Sequence, residues 1–356
     1  MQILYDAHIF LSHKAGGISR YHYELLKGMT RLGCDAKAAG LFIKNQYLRA
    51  DKTLRKPFFY DPFGAFMAVN DYLLKRAVQN LPENAVFHPA SAYEFLNDEI
   101  LNVKNLTLTV HDLIAEKQNI DAGKNKLFYA QHAKKIIAIS EATKKDVIEM
   151  FGIDGNKIEV IYHASSLNKS MAQKPNLPVP EQFLLYVGTR GGHKNFDALI
   201  RAVAPLLQKH KNLYVFCVGK KTFNAQEISV FQALGIDKKV MSLSAVNDSA
   251  LAYLYGKAAV FVFPSLAEGF GIPILEAWAC GTPAVVSDIS CFREVAAEAA
   301  CYFDPQSQES MTNEIEKVLT DKELQKKLIQ KGENRLALFS WEKTIEQTHK
   351  FYQSLL

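Results

Sequence analysis

The stretch from Val260 to Asp288, VFVFPSLAEGFGIPILEAWACGTPAVVSD, decides the fold. Val260 to Phe263 is a run of large apolar residues, of the length and kind that a strand buried on both faces needs. Pro264-Ser265 breaks the run, and the loop beyond it carries Glu268-Gly269-Phe270-Gly271. Pro273 falls at a first helical turn, where a missing N–H costs nothing. The spacing predicts a helix over Ile274–Cys280, stopped by Gly281 and Pro283, and a second buried strand over Ala284–Val286. Strand, glycine-rich loop, helix N-terminus and strand together make a place to hold an anion, because backbone N–H groups and the positive helix end point at the ligand. Glu268 and Glu276, eight residues apart, bracket that place. One helical turn cannot span them, so Glu268 belongs to the loop and Glu276 to the helix, and both can face one cleft.

Read as one pattern, Glu268-Gly269-Phe270-Gly271-Ile272-Pro273-Ile274-Leu275-Glu276 resembles the signature of the retaining glycosyltransferases of family four. That pattern, E-G-F-G-x-P-x-x-E, stands here without departure. The resemblance implies an α/β fold of GT-B type: two Rossmann-like domains with parallel sheets facing an interdomain cleft. It implies that Glu268 touches the donor sugar and Glu276 bonds the ribose hydroxyls. Gly269, Phe270, Gly271, Ile272 and Leu275 then line the donor site. Two glutamates at this spacing would otherwise be solvated groups on a loop and a surface helix. The glycines, Phe270 and Pro273 standing in register argue against that alternative.

Upstream, Phe183–Val187 is another buried run, followed by Gly188-Thr189-Arg190-Gly191-Gly192-His193-Lys194-Asn195-Phe196 and a helix predicted over 197–210. Small residues at a strand end, cations and a helix N-terminus suit a departing diphosphate, whose charge must be met as the glycosidic bond breaks. The resemblance assigns Arg190 and Lys194 to that clamp, with Gly188 and Thr189 against the donor. Many relatives have Arg directly before the Lys. Here His193 stands there, and Arg190 lies three residues earlier. Strands over 214–218 and 240–243 and helices over 225–234 and 248–255 continue the βα alternation. The turns at Gly219-Lys220 and Ser244–Val246 are where a nucleotide base could stack. Beyond the central stretch a helix is expected to begin at Arg293, one charged helix to fill 307–334, and a last one to run from about Ser340 to Leu355.

The first lobe is less legible. Ile3–Tyr5 is a strand, and a helix is predicted from Ile18 to Leu32, with Ile18, Tyr21, Leu25, Leu26 and Met29 at helical spacing. The Gly16-Gly17 turn before it is not a GxGxxG fingerprint. The resemblance lends both glycines a role against the donor diphosphate or acceptor, with Arg20 as a neighbour that is otherwise an exposed helix residue. A helix is expected over 63–80. Leu106–Val110 is a buried strand ending at His111-Asp112. Strand C-termini are where open α/β sheets put their ligands, and relatives carry an H-D or H-E pair here whose His lies beside the donor sugar. A lone His is otherwise satisfied within its own loop. Residues 165–181 are polar with three prolines and read as a linker. The expected domains are 1–166 joined by 340–356, and 167–339.

A chain of 356 residues favours two domains. No segment has the pattern of a secretory signal, and no apolar run reaches the roughly 18 residues of a spanning helix. The expected localisation is therefore cytoplasmic. Five cysteines, an odd number without CxxC spacing, read as reduced thiols. Residues 1–80 hold twelve Lys or Arg against six acids. With Phe58, Phe59, Tyr60, Phe63 and Phe66 beside Lys52, Arg55 and Lys56, this lobe suits peripheral contact with an anionic membrane on the inner face of the cell membrane. A solvated basic face over core aromatics is the equal alternative. No motif supports nucleic acid as a partner.

The resulting expectation is a hexosyltransferase that takes a nucleotide-diphosphate sugar to a hydroxyl of a glycan or lipid-linked glycan in surface-polysaccharide synthesis. By analogy the donor is GDP-mannose, ahead of a UDP- or dTDP-sugar. No cofactor is expected, and no metal, because no D-x-D triplet occurs. A nucleotide-sugar 2-epimerase of the same fold and a non-catalytic nucleotide-binding lobe are the alternatives. A dehydrogenase is disfavoured because neither lobe carries GxGxxG.

Overall fold

A computed structural model of the chain describes residues 1–54, 58–61, 63–219, 222–244 and 246–356. Arg55, Lys56, Lys220 and Ala245, named above, lie outside the described residues, as do Pro57, Pro62 and Lys221. The chain forms two units, Met1–His163 with Trp341–Leu356, and Ala164–Ser340.

In the first unit the strands are β1 (Gln2–Asp6), β2 (Asp35–Ala39), β3 (Phe42–Ile43), β4 (Phe59–Tyr60), β5 (Val86–Phe87), β6 (Thr107–Val110), β7 (Lys135–Ala138) and β8 (Ile158–Val160). They pair in parallel as β2-β1-β5 and β6-β7-β8, and a bridge from Phe87 to Leu106 joins the two sets; β3 and β4 form a separate parallel pair. Alternate residues of the strands feed two cores. Ile3, Tyr5 and Ile137 pack with Tyr21, Leu25 and Met29 of the helix Gly17–Arg31, and with Tyr352. Leu4, Phe87, Ile136 and Ala138 pack with Leu74 and Val78 of the helix Met67–Gln79. A sheet buried on both faces explains why its strands read as unbroken apolar runs. The last helix, Trp341–Gln353, belongs to this unit. The Thr344 hydroxyl donates to the Tyr162 carbonyl at 2.8 Å, and Ile345 lies where a Cβ on Gly28 would fall.

In the second unit β9 (Gln182–Val187), β10 (Leu213–Gly219), β11 (Val240–Ser244), β12 (Val260–Phe263), β13 (Ala284–Ser287) and β14 (Ala300–Phe303) form one sheet. Its order is β11-β10-β9-β12-β13-β14, with every pair parallel. This is the doubly wound order, and the winding reverses between β9 and β12. Leu184, Val215 and Val262 meet Ile200, Val203 and Leu207 of the helix Phe196–Lys209, and Met311 and Ile315 of the helix Gln308–Thr320.

Three helical stretches differ from the sequence reading by more than one or two residues at an end. The helix expected to begin at Arg293 spans Ser290–Ala296. The charged stretch 307–334 is two helices, Gln308–Thr320 and Lys322–Leu336, because the Asp321 carboxylate caps the second by accepting from Leu324 N at 2.9 Å. The helix expected over 63–80 begins only at Met67, because the Asp61 carboxylate ties up the N–H groups of Phe63, Gly64 and Phe66. All five cysteines are free. No described helix is long and apolar enough to cross a membrane.

Candidate functional site

The reversal point of the second sheet gathers two of the loops picked out above. β9 ends at Val187 and β12 at Phe263, side by side, so the chain leaves the sheet there in two neighbouring loops. In the first, Gly188 has φ +148° and Gly192 φ +52°, and Asn195 at φ 55° starts the helix Phe196–Lys209. Asn tolerates that left-handed geometry better than a bulkier residue. Its side-chain amide donates to the Pro305 carbonyl at 2.9 Å, which fixes the turn. The Tyr186 hydroxyl donates to the Thr189 carbonyl from beneath. At Gly219 a Cβ would lie 2.5 Å from the Gly188 carbonyl oxygen, so the ends of β9 and β10 close only around glycine.

In the second loop, Gly271 takes φ +108° and leads into the helix Ile272–Ala279, with Pro273 in its first turn. A Cβ on Gly271 would meet the Phe292 ring at 2.9 Å. Phe270 is buried, edge-on to Phe339 at 5.7 Å between centroids. Ile274, Leu275, Ala277 and Trp278 are buried, while Ile272 and Glu276 are partly exposed.

The two loops are tied by charge. Lys194 Nζ donates to Glu268 Oε1 at 2.6 Å, and the Ser265 hydroxyl donates to the same oxygen at 2.6 Å. Leu266 N donates to the His193 carbonyl at 2.7 Å. The Lys194 side chain is 21% exposed and that of Glu268 12%, so the pair sits at a wetted edge. Arg190 is held differently. Its side chain is 7% exposed, and Nε donates to Glu227 Oε1 at 2.8 Å while an Nη donates to the Thr222 carbonyl at 2.8 Å. Glu227 also closes the capping box of the helix Ala225–Ala233 with Asn224, and the Phe223 ring lies 4.8 Å from the guanidinium. Glu276 accepts from the buried Tyr255 hydroxyl at 2.9 Å.

Gly16, Gly17 and His111 lie in the first unit. Gly16, at φ +150°, caps the helix Gly17–Arg31, and the turn before it is braced by Asn45, whose amide donates to the His13 carbonyl at 3.0 Å. Arg20, read from sequence as exposed, stacks its guanidinium 3.7 Å from the Tyr47 ring centre. His111 follows β6. Its ring stacks on His163 with 5.3 Å between centroids and 6° between planes, with Nδ1 3.2 Å from His163 Nε2. Tyr21 meets both rings edge-on, and His22 and His88 complete a group in which His22, His88 and His163 are buried and His111 is partly exposed. His88 is bonded to the Tyr352 hydroxyl at 2.5 Å and to Thr109 Oγ1 at 3.0 Å. Burial disfavours the imidazolium, pushing His111 down to about 4 and His88 to about 3, with His22 and His163 also well below the usual range. All four are neutral at pH 7.

Sequence reasoning missed Ser265, Glu227, Tyr255, Phe292, His163 and His22. Apart from Ser265, which lies three residues from Glu268, no local spacing marks them, since each acts on a partner distant in the chain.

Residues 168–335 match the family model described as "Glycosyl transferases group 1", and residues 15–168 match "Glycosyltransferase Family 4". The O-antigen chain mannosyltransferase RfbU of Salmonella typhimurium is 32% identical over 224 residues, 61% of this chain and 61% of that one. An O-antigen chain mannosyltransferase B of Escherichia coli is 29% identical over 235 residues, 63% of this chain and 61% of that one. The aligned stretch thus spans about 61% of the length of these two relatives. Among solved structures, sucrose-phosphate synthase of Thermosynechococcus elongatus superposes with a TM-score of 0.76 at 19% identity, covering 99% of this chain and 98% of that one. Alr3699/HepE of Anabaena, solved with UDP and glucose, gives 0.75 at 17% identity, covering 99% of this chain and all 100% of that one. The adjoining matches run without a break from 15 to 335 over two parallel α/β units, and the chain belongs to the family-four, group 1 glycosyltransferases of the GT-B fold.

Proposed function

We propose that the chain is a retaining hexosyltransferase that uses a nucleotide-diphosphate sugar, with GDP-mannose the first candidate, and delivers the hexose to a hydroxyl of a glycan or lipid-linked glycan. The observation that carries the reading is the Lys194–Glu268 pair at the reversal point of the second sheet. It sets a cation and a carboxylate 2.6 Å apart between two glycine loops, each leading to a helix N-terminus. Retention, the mannose donor and the polysaccharide context are inferred from the family and from what its O-antigen relatives are named for.

In this reading the diphosphate arrives at the Gly188–Lys194 loop and takes over Lys194. Charge grows on the leaving oxygen as the bond to the sugar lengthens, so a cation and N–H groups already in place stabilise the transition state more than the bound donor. Glu268, released from Lys194 yet still held by Ser265, turns its carboxylate to the sugar. Arg190 is the second cation of the clamp, aimed by Glu227. Glu276 bonds the ribose hydroxyls, with Tyr255 fixing its rotamer. His111, neutral at pH 7, bonds a sugar hydroxyl through its imidazole. The proposal needs no metal, because Lys194 and the N–H groups meet the diphosphate charge.

The test is a thermal-shift screen against GDP, UDP, ADP, dTDP and their sugar conjugates without added metal, followed by product analysis with the donor that binds. A ligand at about 100 times its Kd raises stability by roughly 2.7 kcal/mol. One nucleotide standing out, with its sugar appearing on an added acceptor, is the expected result. Binding with turnover of the donor alone to its 2-epimer, or no shift with any nucleotide, would replace this reading.

A further inference from the structure

The turn that follows β6 is tied to a buried ion pair that the mechanism above does not use. Glu116, on the short helix Ile114–Gln118, is 4% exposed, and its Oε1 accepts from Lys126 Nζ at 2.5 Å. Lys126 stands on the helix Lys124–His132, and the same ammonium donates to the Asp112 carbonyl at 3.1 Å. Given the role of His111 proposed above, we propose that Glu116 and Lys126 are its positioning residues. The Glu116 carboxylate aims Lys126 at the Asp112 carbonyl, and that bond fixes the turn from which the His111 ring meets the donor sugar.

A carboxylate taken out of water is costly unless it is paired and hydrogen-bonded. Gly123 seals this one in: a Cβ there would lie 2.5 Å from Glu116 Cγ, so the chain crosses the side chain only as glycine. The second oxygen, Oε2, is buried and has no partner among the described residues. Glu116 is thus buried for a single bond, the one to Lys126. Buried ion pairs are weak stabilisers, since apolar residues of the same volume commonly serve as well. What this pair supplies is direction, and the direction is toward Asp112.

The turn is pinned through both ends of one residue. Asp112 Oδ1 accepts from Ile114 N at 3.1 Å, and the Asp112 carbonyl is taken by Lys126. His111 therefore sits between the strand β6 and a fixed turn. Its ring is held as well: Nδ1 lies 3.2 Å from His163 Nε2, and Tyr21 stands edge-on at 5.2 Å between centroids. Nε2 is the ring atom left over, buried and without a partner among the described residues. A nitrogen that is to meet one sugar hydroxyl must be held to within about 0.5 Å, and the pinned turn does that.

Lys126 acts on the charge of the ring too. Burial is the main reason that the His111 imidazolium is disfavoured; the neighbouring Asp112 carboxylate opposes burial, and the Lys126 cation reinforces it. The other groups facing the ring are Tyr21 and His22 from the helix Gly17–Arg31, and His88 and His163 from the segments after β5 and β8. Those four are neutral, so Asp112 and Lys126 are the charges that set the balance. Taking the cation away favours the imidazolium and moves His111 up.

The test uses the full chain with nitrogen-15 in its histidines. Lys126→Met alone strips the buried Glu116 carboxylate of its cation, so the variant that keeps the fold is Glu116→Gln with Lys126→Met, which removes both charges. In an NMR titration without donor or acceptor, His111, at about 4 in the parent chain, should move up in this double variant. With the donor that the nucleotide screen selects, the double variant should lose about tenfold in kcat/KM, while its affinity for the free nucleoside diphosphate holds. In a His111→Ala background the same two substitutions should cost less than about twofold, because they act through His111. An unmoved His111 titration, an unchanged kcat/KM, or a tenfold loss that persists in the His111→Ala background would overturn the proposal. A chain whose His111 titration moves as expected but which transfers no sugar would sink the transferase reading instead, since the titration needs no turnover.

Discussion

Lys194 Nζ and Glu268 Oε1 stand 2.6 Å apart across 74 residues of chain, and the bond exists because β9 and β12 are neighbours at the reversal of the second sheet. Two residues that the sequence marked for different parts of one donor, the diphosphate and the sugar, are in the folded chain each other's partner. A donor that reaches this loop must exchange that ion pair for its own contacts.

Lys194→Ala is therefore expected to lower kcat about 100- to 1000-fold, the usual cost of losing one group that stabilises a developing anion. The affinity for the free nucleoside, which has no phosphate, should stay unchanged in calorimetry. Equal losses in both would remove Lys194 from the diphosphate.

Arg190 is bound to Glu227 and Thr222, so its two roles can be separated. Arg190→Ala should destabilise the second unit by about 1–3 kcal/mol, because the partly buried Glu227 carboxylate loses its cation. It should also slow turnover at least tenfold. A melt that falls while kcat holds would make Arg190 a structural residue only.

Glu276→Ala should weaken nucleotide binding by roughly 1–3 kcal/mol through lost charge-assisted bonds to the ribose. Tyr255→Phe removes only the 2.9 Å bond that steadies Glu276 and should weaken binding by about 1 kcal/mol. If Glu276→Ala binds the nucleotide as the parent chain does, the ribose assignment fails.

The buried histidines make the first unit acid-sensitive. In the unfolded chain each titrates near the ordinary value of about 6.5. In the folded chain His111 is held at about 4 and His88 at about 3, with His22 and His163 also depressed by burial. Below pH 6.5 the unfolded state thus binds protons that the folded state refuses, and stability falls as pH drops from about 6.5 toward 4. Above 6.5 their contribution is complete and level. Melts of the first unit, followed by its own probe, should drop through that window, and His88→Asn should make the drop shallower. A flat Tm between pH 7 and 4.5 would contradict the burial of this group.

Gly332 faces Trp278, where a Cβ would lie 2.4 Å from the indole. Gly332→Ala should cost about 1–3 kcal/mol by overpacking. It should also weaken nucleotide binding, because Trp278 and Glu276 share the helix Ile272–Ala279. A stable variant with full affinity would show that this helix can shift without disturbing the site.

How far the sequence carried depended on the kind of feature. The strand β12, the Glu268–Gly271 loop, Pro273 in the first turn and Gly281 at φ +79° all follow from residues adjacent in the chain, each with a local physical reason. Ser140 and Asn247 cap the helices Glu141–Phe151 and Asp248–Lys257 by the same local logic, each side chain accepting from the N–H three residues on. The split at Asp321 was not, because a capping carboxylate between two charged helices looks like one more polar residue. The first unit was readable only in patches. Its strands β3, β4 and β5 are two residues long, too short to show a period, and it is finished by Trp341–Gln353 from the far end of the chain.

The sequence by itself determined that this is an α/β chain with a glycine-bearing loop and a short helix between two buried strands, because apolar runs, glycine and proline act on their immediate neighbours. Only the tertiary structure decided what each charged or polar group touches. Lys194 is given to Glu268, Arg190 to Glu227, Glu276 to Tyr255 and His111 to His163, over separations of 21 to 74 residues. Such partners are set by strand order, which packing chooses across the whole unit and no local spacing records.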